Sequence, residues 1–165
     1  MGAVEQVLAA LLSLSPYSGD VAESFESRTQ LVDPVAAAIV AATSDTRERA
    51  FLVAQAWHET KLARYVLEER CQDGPAGAQC DEGRAIGPWQ AHCREAHQAA
   101  TLEERYVAGA RCSLRQWRYG LARCKGAEQA GFLAQHGGIM ACSSKRYADR
   151  VRTMRRVFGL LRNES

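Results

Sequence analysis

The sequence predicts a mainly α fold, helices gathered around one fully buried helix with at most a small hairpin, and three observations predict it. Apolar residues recur at three- and four-residue spacing along most of the chain instead of alternating. Residues 50–57, Ala-Phe-Leu-Val-Ala-Gln-Ala-Trp, are apolar on nearly every side, and a helix of that kind belongs at the centre of a fold. Turn-forming Gly74, Pro75, Gly77 and Gly83 interrupt the helical pattern between residues 70 and 87.

Each element has a local reason. Residues 1–12 are apolar but broken by Glu5, with no Lys or Arg before them, which makes a poor signal peptide and a better short amphipathic helix. Residues 13–20 follow as a loop. Pro34, pre-set for a first helical turn, is expected to open an alanine-rich helix over residues 35–42. Ser44 and Asp45 break it, and Asp45 stands three residues before Glu48, a capping-box-like start for a helix from 46 to about 62. After the loop or hairpin of residues 70–87, helix is expected from near Pro88 to about Ala99. Thr101 with Glu104 is a second capping box, opening a long helix whose stripe is Leu102, Tyr106, Ala110, Leu114, Trp117 and Leu121. A short helix near residues 128–135 is expected to end at Gly137-Gly138. Ser143 or Ser144 caps a last helix with a stripe of Tyr147, Val151, Met154, Phe158 and Leu161.

At 165 residues the chain suits one compact domain, read as residues 31–165 preceded by an N-terminal helix-and-loop extension over 1–30. A net charge of +2 gives no push toward nucleic acid, and no apolar run reaches the length of a membrane span. Lys145, Arg146, Arg150, Arg152, Arg155, Arg156 and Arg162 form a basic face on the last helix. Such a face is either the solvated side of an amphipathic helix or a means of holding anionic polymers.

Cysteines at 71, 80, 93, 112, 124 and 142 are even in number and lack CxxC spacing, which suits a disulfide framework in a secreted protein. The most local pairing is Cys71 with Cys80. Buried free thiols are the alternative. A metal has only His92 beside Cys93 and no second ligand pair, so neither metal nor organic cofactor is expected.

Glu59 is the candidate catalytic residue. It ends the buried helix, directly after Trp57 and His58, and a carboxyl against apolar and aromatic surface resists ionisation. A carboxyl that keeps its proton near neutrality is what glycosidic bond cleavage needs from a general acid. The opposing reading is a solvated Glu at a fraying helix end, paired with Lys61 or Arg64.

His58-Glu59-Thr60, taken with Gly83-Arg84-Ala85-Ile86-Gly87-Pro88-Trp89-Gln90, resembles the lysozyme-like superfamily, especially goose-type lysozymes and soluble lytic transglycosylases. In those families a helix ends in the catalytic Glu followed by Ser or Thr, and a Gly-x-x-Gln segment lines the substrate groove. Residues 128–138 are similar to the helix and Tyr-Asn-x-Gly turn that borders that groove, with His136-Gly137 in place of Tyr-Asn. Residues 146–151 are similar to the start of the families' last helix, where Tyr147 matches.

The resemblance covers roughly residues 35–158. It implies a lysozyme-like, peptidoglycan-cleaving, bacteriolytic enzyme, monomeric and periplasmic or extracellular. Glu59 would be the acid, and Trp57, Thr60, Gly87, Trp89, Gln90, His136 and Tyr147 would bind substrate. Asp81, with Asp73 and Glu82 as further candidates, would position water if the enzyme is a hydrolase. A lytic transglycosylase, which the resemblance slightly favours, manages with Glu59 alone. The competing classes are a non-catalytic relative that binds glycan or protein through the same cleft, and a disulfide-braced helical secreted protein with accidental motifs. The last expects Glu59 in bulk solvent and Gln90 far from it.

Overall fold

The computed structural model describes residues 2–20, 22–71, 84–135, 142 and 147–163. Helices dominate: α1 (Ala3–Leu12), α2 (Phe25–Ala42), α3 (Thr46–Thr60), α4 (Arg64–Leu67), α5 (Arg94–Gln98), α6 (Leu102–Arg123), α7 (Glu128–Ala134) and α8 (Ala148–Asn163). A short 3-10 turn spans Ser18–Asp20. The described residues contain no strand, only one antiparallel bridge between Ile86 and Ala91.

α3 is the axis. Ala50 through Ala56 are all buried, so this helix has neighbours on every side: α8 above all, then α1, α2 and α6. Asp45 caps it as expected, its carboxylate accepting from the Glu48 N–H at 2.8 Å. The reciprocal half of a capping box is absent. Glu48 instead accepts from the Thr43 hydroxyl and pairs with Arg118 of α6, joining two helices. The helix stops at Thr60, two residues short of the expected end, because Lys61 and Leu62 both turn left-handed (φ 52° and 53°).

Three expectations are corrected. Pro34 does not open a helix; it lies inside α2, which begins at Phe25 behind Ser24, whose hydroxyl accepts from the Ser27 N–H at 3.1 Å. The polar first turns of α2 hide it from a reading by hydrophobicity. The expected helix from Pro88 is instead a turn. Gly87 (φ 65°) and Gln90 (φ 48°) bend the chain back so that Ile86 and Ala91 exchange N–H···O bonds of 3.2 and 3.0 Å. Helix proper is limited there to the five residues of α5. The boundary expected at 30/31 falls within α2. Val7, Ala10 and Leu11 of α1 belong to the same core as α3, so the first helix is a structural part of the body.

The capping box of Thr101 and Glu104 is present in both directions, at 3.2 and 3.1 Å. The α6 stripe buries Tyr106, Ala110, Leu114 and Trp117. Phe51 of α3 stacks on Trp117 and touches Phe132 of α7, an aromatic contact that fixes where α7 lies. In α8 the expected stripe is buried at Val151, Met154 and Leu161, with Val157 added. A disulfide joins Cys124, at the end of α6, to Cys142, and Cys71 is likewise disulfide-bonded. The Cys71–Cys80 pairing, the Gly137-Gly138 stop and the Ser143 or Ser144 cap lie outside the described residues. The framework of bridges is not complete, because Cys93 and Cys112 are free, buried thiols.

Candidate active site

The last two turns of α3 place Gln55 and Glu59 on one face, since residues four apart in a helix lie one above the other. The Gln55 amide donates to Glu59 Oε1 at 3.0 Å. Gln55 is almost wholly buried, whereas the Glu59 side chain keeps 14% of its exposure and reaches a cleft. That cleft has a volume of about 270 Å³. Its lining comes from α3, from the turn around residues 85–92, from Gln116 of α6 and from Gln135 at the end of α7. Glu59 and Gln90 therefore face the same space, and an accidental pair of motifs would not require that.

The turn is built to present Gln90. A Cβ at Gly87 would meet the Tyr106 ring at 3.4 Å, and the positive φ there suits glycine. Gln90 adopts a left-handed conformation despite its side chain, and its amide donates to the Gly87 carbonyl at 3.0 Å. Trp89 anchors the turn from beneath. Only 2% exposed, it stands edge-on to Tyr106 and donates its indole N–H to the Leu52 carbonyl at 2.9 Å. It both packs in the core and floors the cleft.

Arg150 of α8 is the unexpected member. Its Nη1 donates to Glu59 Oε1 and, at 2.9 Å, to Gln55 Oε1, and its guanidinium lies 4.6 Å from the centre of the Tyr147 ring. Only 13% of the side chain is exposed, so this arginine is no part of the solvated basic face formed by Arg152, Arg155 and Arg156. A guanidinium in contact with a carboxylate stabilises its ionised form and opposes the desolvation expected to keep Glu59 protonated. Glu59 thus meets Gln55 and Arg150 directly and shares its cleft with Trp89.

Trp57 does not wall Glu59. Two residues along a helix turn the side chain by about 200°, so Trp57 points away. It donates to the Ser15 carbonyl at 2.7 Å and carries the Lys61 ammonium 3.3 Å above its ring. Thr60 is a helix-end residue, donating to the Ala56 carbonyl at 2.9 Å and accepting from the Leu62 N–H at 3.1 Å. Tyr147 (φ 70°) reaches the site through Arg150. His58 bonds Thr153 at 3.0 Å, and burial, followed by the positive charges of Lys61 and Arg150, lowers its pKa to about 4. Asp73, Asp81, Glu82 and His136 lie outside the described residues.

Sequence reasoning missed Gln55, His92, Gln116, Gln135 and Arg150. Gln55 carried a signal, being the one polar residue in a fully apolar run and four residues before Glu59. Gln116 and Gln135 are polar residues on otherwise ordinary helix surfaces. Nothing in the sequence distinguished Arg150 from its basic neighbours.

Fold and site together define a helical, disulfide-bonded protein with a cleft that carries a carboxylate and four glutamine amides. Comparison with known protein families, with characterised proteins and with solved structures finds no match to the chain. Among the described residues no helix is long and apolar enough to cross a membrane, and no group of three metal-ligating side chains occurs.

Proposed function

We propose that this chain is a peptidoglycan-cleaving enzyme of the lysozyme-like class, acting on the β-1,4 bond between N-acetylmuramic acid and N-acetylglucosamine. Lytic transglycosylase is favoured over hydrolytic muramidase. The observation that carries the reading is that Glu59, ending the buried helix, and Gln90, in the Gly-x-x-Gln turn, line one cleft. The amides of Gln55, Gln90, Gln116 and Gln135 suit a ligand rich in hydroxyl and acetamido groups, to which amides both donate and accept.

In this mechanism Glu59 protonates the glycosidic oxygen as the bond to the anomeric carbon breaks. It then takes the proton of the sugar's C6 hydroxyl as that oxygen closes on the same carbon. The first step needs Arg150 to withdraw from the carboxylate. Its remaining partners, Gln55 Oε1 and the Tyr147 ring, hold it when it does.

The Glu59–Arg150 pair also favours a second reading, a non-catalytic cleft that binds glycan or protein. Digestion of purified peptidoglycan by the wild type and by Glu59→Gln, with products read by mass spectrometry, separates the two. The expected result is 1,6-anhydromuramic products that fall at least about 100-fold with the variant. Reducing-end products enlarged by one water would make the enzyme a hydrolase. An inert wild type, or an equally active variant, would leave the binding reading.

A further inference from the structure

Two cysteines sit outside the cleft and outside the bridges described above. Cys93 immediately precedes α5, and Cys112 lies midway along α6, the helix on which α5 rests. Both are buried, at 7% and 4% exposure, and share one small apolar cluster with Ala91 and Ala96. Within it the Cys93 and Cys112 side chains lie close enough to perturb each other directly.

The surroundings give the two thiols different characters. The nearby Cys112 side chain, helped by the Ala96 backbone, lowers the Cys93 thiol, while Cys93 and burial push the Cys112 thiol up. Cys93 also follows Ala91 and His92, both of which line the cleft.

We propose that Cys93 and Cys112 are an oxidisable pair that closes to a disulfide with a small-molecule disulfide as oxidant, fastening the cleft-lining turn to α6. The thiolate of one cysteine attacks one sulfur of the oxidant, whose S–S bond breaks and releases a first thiolate. The sulfur of the other cysteine then attacks the first cysteine's sulfur in the mixed disulfide and expels the second half of the oxidant. Two cysteine thiols are oxidised, one disulfide is reduced to two thiols, and the cysteine protons end on those products. This pairing stands whether or not the cleft cuts peptidoglycan.

The test uses the full chain in a buffer of oxidised and reduced glutathione, followed by alkylation in denaturant and non-reducing peptide mapping. A peptide pair joining Cys93 to Cys112 is expected, with the Cys124–Cys142 pair as internal reference. If the reference closes while Cys93 and Cys112 are both alkylated, or if either bridges another cysteine, the proposal is overturned and the thiols are packing residues only. Wild type treated with oxidised glutathione should melt on the order of 5 °C above treated Cys93→Ser. Equal melting of the two would refute the fastening.

Discussion

Arg150 holds Glu59 at rest, its guanidinium in contact with Glu59 Oε1 and with Gln55 Oε1. His58, one residue earlier, gives a separate acid signature. Its folded pKa of about 4 lies below the ordinary 6.5, so the unfolded chain takes up this proton first as pH falls. Its contribution to stability is complete above pH 6.5 and declines between 6.5 and about 4. Discounted for the partial exposure of the ring, the decline is on the order of 1 kcal/mol, or about 2–4 °C. Melting curves of wild type and His58→Gln should converge as pH falls through that window; curves that stay parallel would refute the assignment.

Helix identity was legible where apolar spacing and caps agreed, as in α3 and α6, and illegible where they did not. α2 begins with a polar turn, and the chain turns left-handed on either side of Pro88, at Gly87 and Gln90, which no periodicity announces. The contact between α6 and α7 is a case that only packing shows. A Cβ at Gly120 would strike the Ala130 carbonyl, and one at Gly131 would strike the Trp117 ring, so each helix offers the other a bare glycine. Gly120→Ala should lose about 2 kcal/mol by overpacking, although alanine is the better helix former by about 1 kcal/mol. Gly159 of α8 has open space around its Cβ position, and there the same substitution should stabilise. Urea unfolding of both variants checks the pair of signs; two losses, or two gains, would contradict the packing account.

For the molecule as a whole, the sequence reading named Glu59, Trp89 and Gln90 of the cleft lining and left the rest unnamed. Glu59 and Gln90 were recognisable because their spacing and neighbours carried a motif. Gln116, Gln135 and Arg150 come from helices remote in sequence and meet only through the packing of α6, α7 and α8 about α3. Trp57 was misjudged for a geometric reason, since adjacency in a helix does not mean a shared face. The first helix, set apart in the sequence reading, packs on α2, α3 and α8 and helps to close the core from which the cleft opens.

The left-handed backbone at Gln90 bears on selection. A chain under pressure for durability alone would keep glycine or asparagine there, since a side chain like glutamine's costs about 1 kcal/mol in that conformation. Gln90→Asn should accordingly be at least as heat-resistant as wild type, yet work more slowly, because its amide ends one methylene short of the cleft. A variant both hardier and fully active would make the glutamine an accident of history. A hardier, slower one would show that robustness has been given up for reach.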